Sequence, residues 1–163
     1  MKQYMPIKPT KWGIKVWGRA DANNGYISAF EVYTGRKGNR TEKGRGATIV
    51  KGLTEQLHGT YRHVFYDNFF SSVDLALDLL RAGLYSCGTL RSNCKGFPAL
   101  LKPVVKGLDT RGSSKTYQNG NLTVTVWQDN RPVTLIFHQV RPYHYQLCSA
   151  QEPRRYNSHL FLP

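Results

Sequence analysis

Arg-His-Val-Phe-Tyr-Asp-Asn-Phe-Phe-Ser-Ser, residues 62–72, is the stretch on which the reading of this chain turns. A mostly apolar run enters Asp67-Asn68, two phenylalanines and a serine pair follow, and a strongly apolar helical pattern begins beyond them. The pattern predicts a buried strand that ends at a carboxylate, with a helix starting just past it. Open α/β sheets place their ligands at the carboxyl ends of strands, so Asp67 is a candidate active-site carboxylate. Asp-Asn pairs also close strands as turns, because both side chains bond the backbone locally. Both readings stand on this stretch alone.

On the carboxyl side, Ser71-x-x-Asp74 reads as a capping box for a helix over 73–82, ended by Gly83. Its apolar residues cover more than one face, which predicts deep burial. Residues 85–91 form a further strand candidate, leaving through a basic turn at 92–98. On the amino side, Ile49, Val50, Leu53 and Leu57 repeat at helical spacing over 47–58, with Gly59 as the natural residue after the helix. Before that helix, residues 35–46 hold five basic residues, four glycines and one glutamate. A solvated loop and a phosphate-contacting loop are equally good readings of that segment. Its glycines do not follow a strand as a nucleotide-binding loop requires.

Earlier still, Trp12, Ile14 and Val16 alternate, which predicts a strand with those three on one face and Lys11 and Lys15 on the other. Asn23-Asn24-Gly25 is a turn signal, and residues 26–34 return as an aromatic and β-branched strand. The order is β-β-α-β-α-β, a mixed sheet in an α/β arrangement. Residues 99–120 are expected to be irregular, with a short helix near 98–105. Residues 122–127 and 132–136 alternate about Asp129-Asn130 and predict a β-hairpin appended to the main sheet. From Phe137 the periodicity is lost. His138, His144 and His159 lie there, at a spacing that matches no metal template.

Composition narrows the partners. The chain has 163 residues, 23 Lys+Arg against 10 Asp+Glu and a net charge of +13, so it attracts polyanions and nucleic acid is the first partner to consider. Cys87, Cys94 and Cys148 are too few and scattered for a disulfide framework and offer no paired zinc motif. Free thiols in a reducing compartment are expected. Neither a signal peptide nor a run of roughly 18 apolar residues stands out.

Several segments together resemble one family. Lys2-Gln-Tyr-Met-Pro-Ile-Lys-Pro-Thr-Lys-Trp-Gly-Ile-Lys15, Gly25-Tyr26, Val32-Tyr-Thr-Gly35, Tyr66-Asp-Asn-Phe-Phe-Ser-Ser72, Gly88-Thr-Leu-Arg-Ser-Asn93 and Lys95-Gly-Phe-Pro98 are similar to piggyBac transposases. The resemblance is collinear to about residue 136 and strongest to the vertebrate piggyBac transposable element-derived proteins. It implies a ribonuclease H-like fold and cut-and-paste DNA transposition. It also implies three aspartates that hold two divalent metals, normally Mg2+, a donor type that suits hard cations. Asp67 matches the second of these aspartates.

The departures shape the expected function. The first family aspartate is expected in a strand ahead of Lys2 and the third in a downstream Gly-Gly-Val-Asp segment. Neither has a counterpart here, and Asp74, Asp78, Asp109 and Asp129 do not match those positions. The expected fold is therefore a ribonuclease H-like mixed sheet without its first strand and C-terminal helices. Residues 1–136 would be a partial catalytic domain. Residues 137–163 would be a frameshifted tail, because permissible codons read one base later can spell family-like segments. A nucleotide sequence that forbids that reading would rule it out. One carboxylate cannot hold two metals, so the leading expectation is a transposase core fragment that is inactive alone and binds no metal productively. A DNA-binding module without catalysis and a non-functional, marginally folded product are the alternatives. DNA contacts would come from Lys8, Lys11, Lys15, Arg36, Lys37, Arg40, Lys43, Arg45, Arg91 and Lys95, since phosphate contacts need charge more than exact placement. A nuclear location follows from the resemblance, with no membrane or small-molecule partner expected.

Overall fold

The computed structural model describes residues 2–35, 44–108 and 110–138. Arg36, Lys37, Arg40 and Lys43, Asp109, and everything read for residues 139–163 lie outside the described residues. The tail's remaining histidines and Cys148 are among these.

Within them, the predicted strand, carboxylate and helix follow one another, but the strand is not buried: it lies at the edge of its sheet and alternates exposed and half-buried residues, with Phe65 65% exposed. Strand β5 (His63–Tyr66) ends immediately before Asp67, and helix α2 (Val73–Arg81) begins six residues later. The helix cap is Ser72 rather than Ser71. The Ser72 hydroxyl accepts from the Leu75 amide at 3.0 Å, while Ser71 donates its hydroxyl back to the Asp67 carbonyl. The cap moves one residue because Ser71 is taken up by the turn that Asp67 starts. Gly83, at φ 71°, ends the helix as expected.

The main sheet has five strands. β5 pairs in parallel with β6 (Tyr85–Thr89), which pairs antiparallel with β9 (Pro132–His138). β9 continues to β8 (Leu122–Gln128) and then to β7 (Ser114–Asn119), all antiparallel. Two expectations are corrected here. The 122–136 hairpin is not appended: β9 lies at the centre of the sheet, with Gly88 opposite Ile136. Periodicity marks a strand but not its neighbour, and the fully buried Ile136 shows where the hairpin had to go. Residues 99–120 are also not irregular throughout. They hold single 3-10 turns at Ala99–Leu101 and Val104–Lys106, then β7. The strand escaped notice because Ser-Lys-Thr-Tyr-Gln-Asn is an edge strand with a single half-buried residue, Tyr117.

A separate antiparallel hairpin joins β3 (Val16–Ala20) to β4 (Ile27–Val32) through the Asn23-Asn24-Gly25 turn. Ahead of it, β1 (Gln3–Tyr4) pairs with β2 (Trp12–Gly13). The single strand predicted across Trp12, Ile14 and Val16 is thus two strands with a break. Those three residues are 59%, 63% and 50% exposed, and Trp17 is the residue that turns inward, at 7%. The alternation continues across the break at residues 14–15, and the inward face is the other one, Gly13, Lys15, Trp17 and Arg19.

Helix α1 (Arg45–Thr54), extended by a 3-10 turn at Glu55–Leu57, packs between this hairpin and α2. Val50 of α1 joins Leu75, Leu79 and Leu84 in one buried cluster. A second cluster, with Ala76, Leu90, Phe97, Leu101, Val124, Val126 and Ile136, lies under the sheet. Each fully buried leucine or isoleucine contributes roughly 1.5–3 kcal/mol.

Two glycines of α1 should respond oppositely to alanine. A Cβ on Gly46 would lie 2.7 Å from the Phe69 carbonyl oxygen and 2.9 Å from the Phe70 Cα. Gly52 has no atom within 4 Å of that position. Gly52→Ala should stabilise by about 0.5–1 kcal/mol through helix propensity. Gly46→Ala should cost roughly 1–3 kcal/mol, the backbone clash outweighing the same gain. Chemical denaturation of both variants measures the two signs.

A buried polar chain runs across the sheet. The Tyr66 hydroxyl donates to Ser86 Oγ at 3.1 Å, and His138 Nδ1 accepts from the Ser86 amide at 3.0 Å. Nδ1 is thus the unprotonated nitrogen, and Nε2 is buried with no hydrogen-bond partner among the described residues. Burial, then the nearby His63, push the His138 pKa below its usual 6.5. The unfolded chain therefore takes up this proton first as pH falls. Stability from this site is complete above pH 6.5 and declines below it, towards the lowered folded value. Thermal midpoints between pH 7.5 and 5 should fall, and His138→Gln should flatten that dependence.

Candidate nucleic-acid and metal site

Asp67 is exposed at the carboxyl end of a parallel strand, as the sequence placed it. Its Oδ1 accepts from the Phe69 amide at 2.9 Å, and its carbonyl oxygen accepts from the Phe70 and Ser71 amides. The turn reading holds: Asp67 is a strand-end carboxylate fixed by an Asx turn. The turn orients the carboxylate while leaving it exposed.

Three of the basic residues singled out from the sequence converge on this turn. The Lys15 ammonium lies 5.0 Å from the centre of the Phe69 ring and 5.2 Å from that of Trp17. Arg45 stacks its guanidinium 4.2 Å from the Tyr33 ring and 5.3 Å from the same Trp17. Arg91, just past β6, donates to Asn68 Oδ1 at 3.0 Å. Each cation–π contact contributes about 0.5–1 kcal/mol at partly exposed positions. Arg45 belongs to the first turn of α1 rather than to the preceding basic loop. Lys8, Lys11 and Lys95 are exposed, and no contact among the described residues ties them to the Asp67 turn.

Sequence reasoning missed the aromatic support. Trp17, Tyr33 and Phe69 hold Lys15 and Arg45 beside the turn, and nothing in the spacing of five residues so far apart announces it. It also missed Arg19, whose Nη1 donates to the Leu53 carbonyl at 2.6 Å and pins the hairpin to α1.

The donor set does not fit a two-metal centre. Asp78 is engaged by Lys51 and Arg81, which hold its carboxyl below the usual range, the Lys51 bond being the larger cause. Asp129 pairs with Arg111 at 2.8 Å. Among the described residues no group of three or more His, Cys, Asp or Glu could hold a metal ion. Two ions about 3.5–4 Å apart need bridging carboxylates from several elements, and Asp67 alone does not provide them. Cys87 and Cys94 are free thiols, raised in pKa chiefly by burial. No helix of the described residues is long and apolar enough to cross a membrane.

Asp67→Asn should keep the turn, because an amide oxygen can still accept from the Phe69 amide. Asp67→Ala should lose that bond and cost about 1 kcal/mol. Urea midpoints of the two variants would separate the turn's structural share from any role in ligand binding.

With this geometry in hand, known proteins give a consistent picture. The family described as Transposase IS4 matches residues 1–155. Human PiggyBac transposable element-derived protein 3 is 33% identical over 141 residues, covering 82% of this chain and 23% of its own length. The human Chimeric ERCC6-PGBD3 protein is likewise 33% identical over 141 residues, 82% of this chain and 13% of that protein. The cryo-EM structure of a piggyBac transposase synaptic complex with hairpin DNA superposes with a TM-score of 0.73 at 29% identity, over 90% of this chain and 31% of that one. The chain thus spans under a quarter of the length of these curated relatives.

Proposed function

This chain belongs to the piggyBac-type transposases, and we propose that it is a fragment of their catalytic core that engages DNA but does not cut it unaided. Transposases of this family generally depend on divalent metal. The observation that carries the reading is the isolation of Asp67. It stands at the strand end where the family resemblance puts a metal-binding aspartate, and no group of three or more His, Cys, Asp or Glu that could hold a metal forms around it among the described residues. On this reading Asp67 is an ancestral ligand of Mg2+, and the hairpin, α1, β5, α2 and β6 are the remains of a ribonuclease H-like layer.

DNA engagement is the second half of the proposal. Lys15, Arg45 and Arg91 gather around the Asp67 turn, and the net charge of +13 favours polyanions over the whole surface. The similar solved transposase is a complex with hairpin DNA, which supports the same ligand class here. Phosphate contacts from this cluster would fix register without reading sequence. A nuclear location goes with that role.

Two measurements test it. Incubation of the chain with supercoiled and hairpin DNA in Mg2+ or Mn2+ should give no nicking, and metal-dependent nicking would sink the claim of inactivity. Duplex binding should weaken steeply with salt, by a log–log slope of about −0.9 for each phosphate neutralised. Lys15→Ala with Arg91→Ala should shallow that slope by roughly two contacts' worth. Binding that ignores salt would remove DNA from the reading.

A further inference from the structure

Tyr4 of β1 and Trp12 of β2 stand directly opposite each other in the short antiparallel ladder ahead of the hairpin. Their ring centres are 5.1 Å apart with the planes tilted by 57°, within the range that aromatic pairs favour. Successive side chains of a strand point to opposite faces, so the two rings share one face of this ladder. On the other face a Cβ on Gly13 would lie 3.5 Å from the Met5 Cε, so the methionine backs the ladder there. The rings are nonetheless 53% and 59% exposed.

The loop between the two strands is held by its own backbone. The Met5 amide donates to the Lys11 carbonyl at 2.7 Å, and the Lys8 amide donates to the Met5 carbonyl at 3.1 Å. Pro6 and Pro9 fix the backbone at two further positions of the loop. Its charge is one-sided. Residues 2–19 contain Lys2, Lys8, Lys11, Lys15 and Arg19 and no Asp or Glu. Lys2, Lys8 and Lys11 are exposed.

Open rings among unopposed cations have one ligand chemistry in common. A duplex offers phosphates to the lysines but keeps its base faces stacked inside, so the rings would stay idle. An unpaired strand offers phosphates and free base faces together. We infer that the Tyr4–Trp12 pair is a stacking platform for the bases of an unpaired DNA strand, with Lys2, Lys8 and Lys11 holding its phosphates. Stacking needs only a ring face, so the platform reads no sequence. The site is separate from the Asp67 turn but adjoins it. Three residues separate Trp12 from Lys15, a reach of at most roughly 10 Å, and the Lys15 ammonium lies 5.0 Å from the Phe69 ring centre. A strand stacked on the platform therefore extends towards the carboxylate. The choice of DNA over RNA rests on the family reading above, and the rings and lysines carry the rest.

The test titrates the whole chain, by fluorescence anisotropy, into three labelled ligands of about 15 nucleotides, the upper site size of a single-strand module. These are a thymidine strand, the same strand paired in a duplex, and a strand of equal length in which abasic sites replace the bases. The thymidine strand should bind about tenfold more tightly than the abasic one, because the two carry the same phosphates and differ only in what can stack. Tyr4→Leu with Trp12→Leu should abolish that preference. It should leave duplex affinity within about twofold and the salt slope unchanged, since no charge is lost. Lys8→Ala with Lys11→Ala should weaken all three ligands and shallow the slope by roughly two contacts' worth. The abasic strand needs no altered protein, so a misfolded ring variant does not decide the matter. Equal binding of the thymidine and abasic strands, or a preference that survives loss of both rings in a folded variant, would overturn the inference. So would tighter binding of an RNA strand of the same length, or displacement of the strand by anionic phosphatidylserine vesicles. The preference between thymidine and abasic strands is read independently of the Lys15→Ala, Arg91→Ala duplex titration, so the two readings fail separately.

Discussion

The close seating of α1 on the Asp67 turn is the constraint on which the rest of the structure depends. The hairpin and the five-stranded sheet share no strand pairing among the described residues, so a helix must hold one against the other. Gly46 permits it by bringing the α1 backbone against the Phe69 carbonyl at a distance no Cβ tolerates. From that seat, Val50 reaches the cluster of Leu75, Leu79 and Leu84. At the other end of the helix the Leu53 carbonyl takes the Arg19 guanidinium. A helix terminus leaves its last carbonyls without intrahelical partners, and a charge-assisted bond to one of them is stronger than a neutral bond. One element thereby orients both the hairpin and the turn that carries the carboxylate.

How much of this could be read from the sequence follows from the range of the interactions. The β5–Asp67–α2 unit was legible because every cue is local: an apolar run, an Asx turn, a serine cap and a terminal glycine within some twenty residues. The family resemblance drew on Tyr66 to Ser72 within this unit and on five segments outside it. The misreadings came from long-range packing. Trp12, Ile14 and Val16 alternate correctly, yet Trp17 is the buried residue, because the face that turns inward depends on α1 and on Tyr33, whose ring meets Trp17 at 5.3 Å. The central place of β9 was hidden for the same reason. Its partner β6 lies more than forty residues away in sequence, and alternation is identical in an edge hairpin and a central one.

The candidate site divides along the same line. Asp67 was found by its motif, and Lys15, Arg45 and Arg91 by their charge. What the sequence could not show is that aromatic rings hold two of these cations next to the turn. Lys15 shares Phe69 with the Asp67 loop, and Arg45 shares Trp17 with Lys15. A cation over a ring face has its position restrained, which lowers the entropy lost when a phosphate binds. The basic character of this surface is therefore placed, in part, by apolar packing.

The isolation of Asp67 has a further physical consequence. A carboxylate meant to share a metal with others must tolerate their negative charge nearby, and like charges at that distance are destabilising until the cation arrives. Here the neighbours are the opposite: Arg91 on the adjacent Asn68, and Lys15 over Phe69. These cations hold the side chains that follow the carboxylate, Asn68 and Phe69. The same cations attract phosphate oxygens. Positive charge beside this strand end favours a polyanion lying across the turn.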